Sequence, residues 1–157
     1  MKPVWLLPIF AFLVLGTMPY RIADAPRAKA RDIVDPYAIS AAMSGASVDS
    51  LKRLAWVESN GGRNLAHVNP VDAGWYGLHE RDDYHAERAR LYGDYSATDP
   101  IEAGRVAGKI LMDHYAALGS MELAYTAYHR GRAWTIANGL DLAYLARIEE
   151  CGNEARI

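Results

Sequence analysis

The chain has 157 residues, enough for one domain with a full core and too few for a multidomain machine. Hydrophobic residues make up 51% and charged residues 23%, and 17 Lys+Arg stand against 19 Asp+Glu for a net charge of −2. That balance excludes a wholly disordered chain and any general electrostatic hold on nucleic acid or anionic lipid, so no nucleic-acid partner is expected. The single cysteine, Cys151, excludes an internal disulfide framework and a cysteine-rich zinc site.

No charge falls between Lys2 and Arg21, and residues 4–16 are almost entirely apolar. One positive charge, an apolar stretch and then small residues is the layout of a secretory signal, so residues 1–25 are read as a signal peptide. Ala23 and Ala25 suit a signal peptidase, with Ala28 and Ala30 as a second cleavage candidate. The competing reading is an uncleaved N-terminal anchor, because the uncharged stretch reaches the lower length for a spanning helix. Pro8 and Pro19 count against a stable span. Both readings place the domain outside the cytoplasm, in the periplasm or cell envelope.

Residues 26–35 are polar, Ala-rich and bounded by Pro26 and Pro36, the composition of a linker. A helix is expected after Pro36, carrying Tyr37, Ile39 and Met43 and ending at Gly45. Ser47 or Asp49 then caps a second helix whose apolar positions Leu51, Leu54, Ala55 and Val57 follow the 3.6-residue period up to Asn60-Gly61-Gly62. Residues 63–80 have no helical period and read as a loop or small hairpin. A polar helix is expected over Asp82 to Tyr92. Asp99-Pro100 supplies a cap and a first-turn proline for a longer helix, broken at Gly119-Ser120. Met121, Leu123, Ala124 and Ala127 carry the next helix to Gly131, and Leu140 to Ile148 form a last amphipathic one. No β-branched alternation is long enough for a sheet, so the class is mainly α, with residues 36–157 as its single domain.

Glu58 occupies the last turn of the second helix, beside Trp56 and Val57, in a helix whose other face is apolar. A carboxyl partly withdrawn from water there tends to keep its proton, and the helix C-terminus repels the anion, which suits a general acid. The pair Glu58-Ser59 is followed by Asn69-Pro70-Val71-Asp72-Ala73-Gly74-Trp75-Tyr76-Gly77-Leu78, and a later helix carries Ala124-Tyr125-Thr126-Ala127-Tyr128. In order and spacing these segments resemble the lytic transglycosylases of the lysozyme-like superfamily. There, a Glu-Ser ends a helix, a loop of the type Asn-Pro-x-Asp-x-Gly-x-x-Gly-Leu-Met-Gln follows, and Ala-Tyr-Asn-Ala-Gly comes last. Asp99-Pro100 to Leu118 looks like the long helix that the family places between the last two. The resemblance covers about residues 47–131.

The resemblance implies a lysozyme-like helical domain with an irregular loop or small hairpin after the catalytic helix. It implies cleavage of the peptidoglycan bond between N-acetylmuramic acid and N-acetylglucosamine, with Glu58 as sole acid/base and a 1,6-anhydro product. The sugar's own 6-hydroxyl then replaces the water that a second carboxylate would activate. Ser59 would fix the loop, Asn69 would face the site, and Gly77 and Leu78 would line the groove. Tyr125 would reach back toward Glu58 or the sugar, and Trp75, Tyr76 and Tyr128 would offer sugar rings a flat platform.

The departures from the family pattern are His79 and Glu80 in place of Met-Gln, and Thr126 and Tyr128 in place of Asn and Gly. Glu80 sets a second carboxylate near the groove. It opens two alternatives: a hydrolytic muramidase using Glu58 with Glu80 or Asp72, and a catalytically weak glycan-binding or assembly protein. A helical scaffold for a secretion or conjugation apparatus is a further alternative. Envelope secretion, conjugation and phage assembly systems are the partners that such domains suggest, beside the glycan strands. No cofactor or metal is implied, since the chemistry is proton transfer. His79-Glu80 starts like a zinc-protease motif, but the fifth position is Asp83. Ser59 lacks the Gly-x-Ser-x-Gly of a nucleophile elbow.

Overall fold

The computed structural model describes residues 35–63, 74–78 and 82–154. The proposed signal, Asn69, Asp72, His79 and Glu80 lie outside the described residues. Among the described residues seven α-helices follow one another: α1 Pro36–Ser44, α2 Val48–Ser59, α3 Asp82–Tyr92, α4 Pro100–Leu118, α5 Met121–Arg130, α6 Arg132–Asn138 and α7 Leu142–Glu154. Among the described residues there is no strand, and 74–78 form a turn.

The helices begin where short polar side chains can take up the open amides of a first turn. Asp35 accepts from the Tyr37 amide (3.0 Å), Ser47 from Ser50 (3.0 Å), Asp99 from Ile101 and Glu102 (2.8 and 2.9 Å), and Ser120 from Leu123 (3.2 Å). Asn60 ends α2 in the left-handed region at φ 53°, which asparagine tolerates better than most side chains.

Helix α4 is the central strut, packed against α1 on one side and α5 on the other; α2 lies against α1 and α7. Gly104 and Gly108, one turn apart on α4, meet Ser40 and Ser44 of α1, and a Cβ at either glycine would collide with the facing serine. The Ser40 hydroxyl sits within reach of both the Pro36 carbonyl (2.9 Å) and the Ile101 carbonyl (3.0 Å), so it stays paired at the close crossing. Leu51, Leu54, Val106, Leu111 and Ala124 fill the space between α2, α4 and α5. Polar α3 is tied to α4 by Arg105, which donates to the Tyr92 and Asp94 carbonyls, and by the Tyr92 hydroxyl on Asp113 (2.7 Å).

Two elements differ from expectation. Helix α6 occupies a stretch with no expected element, held between Gly131 and Gly139. Its seven residues make under two turns, too few for a periodic stripe to show. Helix α7 starts after Asp141, not at Leu140, because the Asp141 carboxylate accepts from the Tyr144 amide (3.1 Å) and caps it.

Candidate active site

Seven residues separate Leu51 from Glu58 and four separate Leu54 from it, so helical geometry puts all three on one face of α2. Leu51 and Leu54 are fully buried. Glu58 therefore continues the apolar stripe, rather than lying opposite it as the sequence reading has it. Its carboxyl emerges at the end of the core, where α7 and the 74–78 turn meet it.

From α7, the Tyr144 hydroxyl donates to Glu58 Oε1 at 2.6 Å. Tyr144 is 3% exposed. Burial, then the charge of Glu58 and the bond to it, push the phenol far above its ordinary value, so it remains a proton donor at any physiological pH. The His129 ring stacks on Tyr144, centroids 4.3 Å apart and planes within 6°. Partial burial, then the Arg130 guanidinium, push His129 downward and keep that backing ring neutral near pH 7. One turn along α7 from Tyr144, Arg147 donates to the Val57 carbonyl at 2.8 Å. That carbonyl is open because the Gly61 amide turns back to Ala55 (3.1 Å). Helix α7 thus grips the last turn of α2 at both its side chain and its backbone.

The grip depends on how α7 is started. The Thr126 hydroxyl, fully buried in α5, accepts from the Asp141 amide (3.2 Å), and Arg130 pairs with the Asp141 carboxylate (2.7 Å). Thr126, a departure from the family's asparagine, is thus spent on placing the helix that carries Tyr144. The Arg130 hydrogen bond, then the Tyr144 amide, hold the Asp141 carboxyl below its usual value. A depressed carboxyl contributes stability that is complete above its unfolded pKa and is lost as the pH falls through the folded one. Asp141→Asn should therefore melt below the wild type at neutral pH, and the gap should close as the pH drops under about 4. Calorimetry across that range reads it.

From the other side comes the turn. The backbone of Gly77, at φ +60°, lies so close that a Cβ there would stand 2.5 Å from Glu58 Oε2. Ser59, buried beneath, offers its one proton to the Trp75 carbonyl (2.6 Å) and the Ala55 carbonyl (2.9 Å), and its oxygen accepts from the Gly62 amide (3.0 Å). The Trp75 ring packs over Gly62 and meets Tyr37 edge-on at 6.3 Å.

The structure thus brings Glu58, Ser59 and Gly77 together and corrects three expected contacts. Tyr76 and Leu78 are 0% and 1% exposed, so their side chains belong to the core and have no face to offer a sugar. The turn presents its backbone at Gly77 instead. Tyr125 is buried with its hydroxyl at Ser50, eight residues and so about 12 Å along α2 from Glu58. The hydroxyl that reaches Glu58 is that of Tyr144, which the sequence reading missed. Its one signal was a tyrosine four residues before Ile148 on the buried stripe of the last helix, since a buried phenol needs a partner. Among the described residues no three His, Cys, Asp or Glu side chains converge as metal ligands would.

A family model described as the transglycosylase SLT domain matches residues 36–139. No curated protein and no solved structure matches the chain. The matched segment covers well over half of the sequence and takes in α1 to α6, Glu58 included. The chain belongs to this family of lytic transglycosylases within the lysozyme-like superfamily, enzymes that act on the glycosidic bonds of peptidoglycan.

Proposed function

We propose that Glu58 is the sole acid/base of a non-hydrolytic cleavage between N-acetylmuramic acid and N-acetylglucosamine. The observation that carries this reading is the two-sided hold on one carboxyl: the Tyr144 hydroxyl on Oε1 and the Gly77 backbone against Oε2. The protonated carboxyl gives its proton to the glycosidic oxygen, and the bond from that oxygen to the muramic acid C1 breaks, leaving an oxocarbenium-like centre. The carboxylate so formed is stabilised by the Tyr144 donor, which needs no reorganisation to meet it. It then takes the proton of the muramic acid 6-hydroxyl as that oxygen closes on C1. The 1,6-anhydro ring forms, Glu58 regains its proton, and no water is consumed. One carboxyl suffices because the nucleophile is part of the substrate and already placed.

The Tyr144 hydroxyl can be tested without disturbing its ring. A hydrogen bond to a charged group contributes about 1.5–3 kcal/mol, so Tyr144→Phe should lower kcat roughly 10- to 100-fold with KM little changed. Steady-state digestion of purified sacculi reads both constants.

The apolar residues 4–16 support export, with residues 1–25 as a cleaved signal or an anchor. Among the described residues no helix is long and apolar enough to cross a membrane. In the periplasm or envelope, such a domain opens the wall for an assembly that must pass through it, the class that secretion, conjugation and phage systems share. Product analysis by mass spectrometry tests the chemistry: anhydromuropeptides support it, and products with a free reducing end turn the reading toward a hydrolytic muramidase.

A further inference from the structure

The 74–78 turn hangs from its surroundings by three backbone groups of Trp75 and Tyr76. The Trp75 amide donates to the Ala97 carbonyl at 3.1 Å, and the Trp75 carbonyl accepts from Ser59 at 2.6 Å. The Tyr76 carbonyl accepts from the Tyr128 hydroxyl at 2.8 Å. The next residue is Gly77, whose backbone stands against Glu58 Oε2. Tyr128 comes from α5 and Ser59 from α2, so the two hydroxyls brace the turn from separate helices. Because its proton goes to a carbonyl, Tyr128 does a different task from Tyr144, which holds the carboxyl itself.

We propose that Tyr128 is a positioning residue for the transglycosylase reaction: its hydroxyl holds the Tyr76 carbonyl and so fixes how closely the Gly77 backbone confines the Glu58 carboxyl. The inference rests on the assignment of Glu58 as acid/base. A misplacement of about 1 Å at a reacting group can cost on the order of 100-fold, and one hydrogen bond is enough to hold a short turn against drift of that size. Burial, then the Glu58 charge, push the Tyr128 phenol well above its ordinary value, against a smaller opposing effect of Arg88 on α3. Tyr76 and Tyr95 also face it. The hydroxyl therefore stays protonated and donating through the neutral range, and the restraint does not vary with pH there.

Tyr128→Phe removes the donor and keeps the ring. It should lower kcat about 10-fold with KM within about two-fold, equally from pH 6 to 8, and it should speed amide exchange across residues 74–78 about 10-fold. Unchanged exchange overturns the strut, and faster exchange with unchanged kcat overturns its positioning role. A rise in KM alone would make Tyr128 a sugar contact instead. If the wild type itself releases no anhydro product, the reading of Glu58 fails, and the exchange measurement still decides whether Tyr128 holds the turn.

Discussion

Glu58→Gln is expected to cut anhydromuropeptide release from sacculi on the order of 1,000-fold, a loss within the range for removing a general acid/base. The substitution keeps the shape of the side chain, and the amide oxygen can still accept from Tyr144, so the fold should be retained. Glutamine cannot deliver a proton to the glycosidic oxygen or take one from the 6-hydroxyl, so both halves of the proposed reaction would lose their proton carrier. Chromatography of digests gives the rate, and a circular dichroism melt gives the stability. A melting temperature close to wild type beside a collapsed rate separates chemistry from folding. Substantial residual activity would move the acid/base role to another residue.

Gly77→Ala is expected to fall nearly as far in activity, roughly 100-fold, for a geometric reason. At φ +60° a side chain costs about 1–2 kcal/mol, which is tolerable for a domain of this size. The added methyl would stand 2.5 Å from Glu58 Oε2, and the Glu58 carboxyl is the far end of a flexible side chain that can swing aside. Swinging aside relieves the clash cheaply for the fold but carries the carboxyl away from the Tyr144 hydroxyl and out of its working position. The expected result is a melting temperature lower by a few degrees with kcat lost far out of proportion. Equal losses in stability and activity would mean that the turn itself had unfolded.

Much of the fold was legible because helix ends are written in single residues. Asp35, Ser47, Asp99 and Ser120 each cap the helix that the sequence pattern begins there, and Gly45, Asn60 and Gly119 each end one. Helix α6 carried no such signal beyond its flanking glycines. Glu58, Ser59 and Gly77 could be placed together from the sequence because the resemblance's motifs name all three. The tyrosines could not be sorted. A buried stripe says that Tyr125 and Tyr144 turn inward, but not which hydroxyl meets a carboxylate 86 positions away. That choice is made by the rotation of α7, which Thr126, Arg130 and Asp141 set through bonds between α5 and the α7 start. Thr126 and Tyr128, departures when judged as motif letters, each hold a backbone group that the site depends on.

Digestion of sacculi in water enriched in oxygen-18 tests the central claim most directly. If Glu58 regains its proton from the muramic acid 6-hydroxyl, the new sugar ends carry no heavy oxygen, and their mass is that of the anhydro form. Incorporation of one heavy oxygen per cleaved bond would mean that water is the nucleophile, and a single-carboxyl transglycosylation would be contradicted.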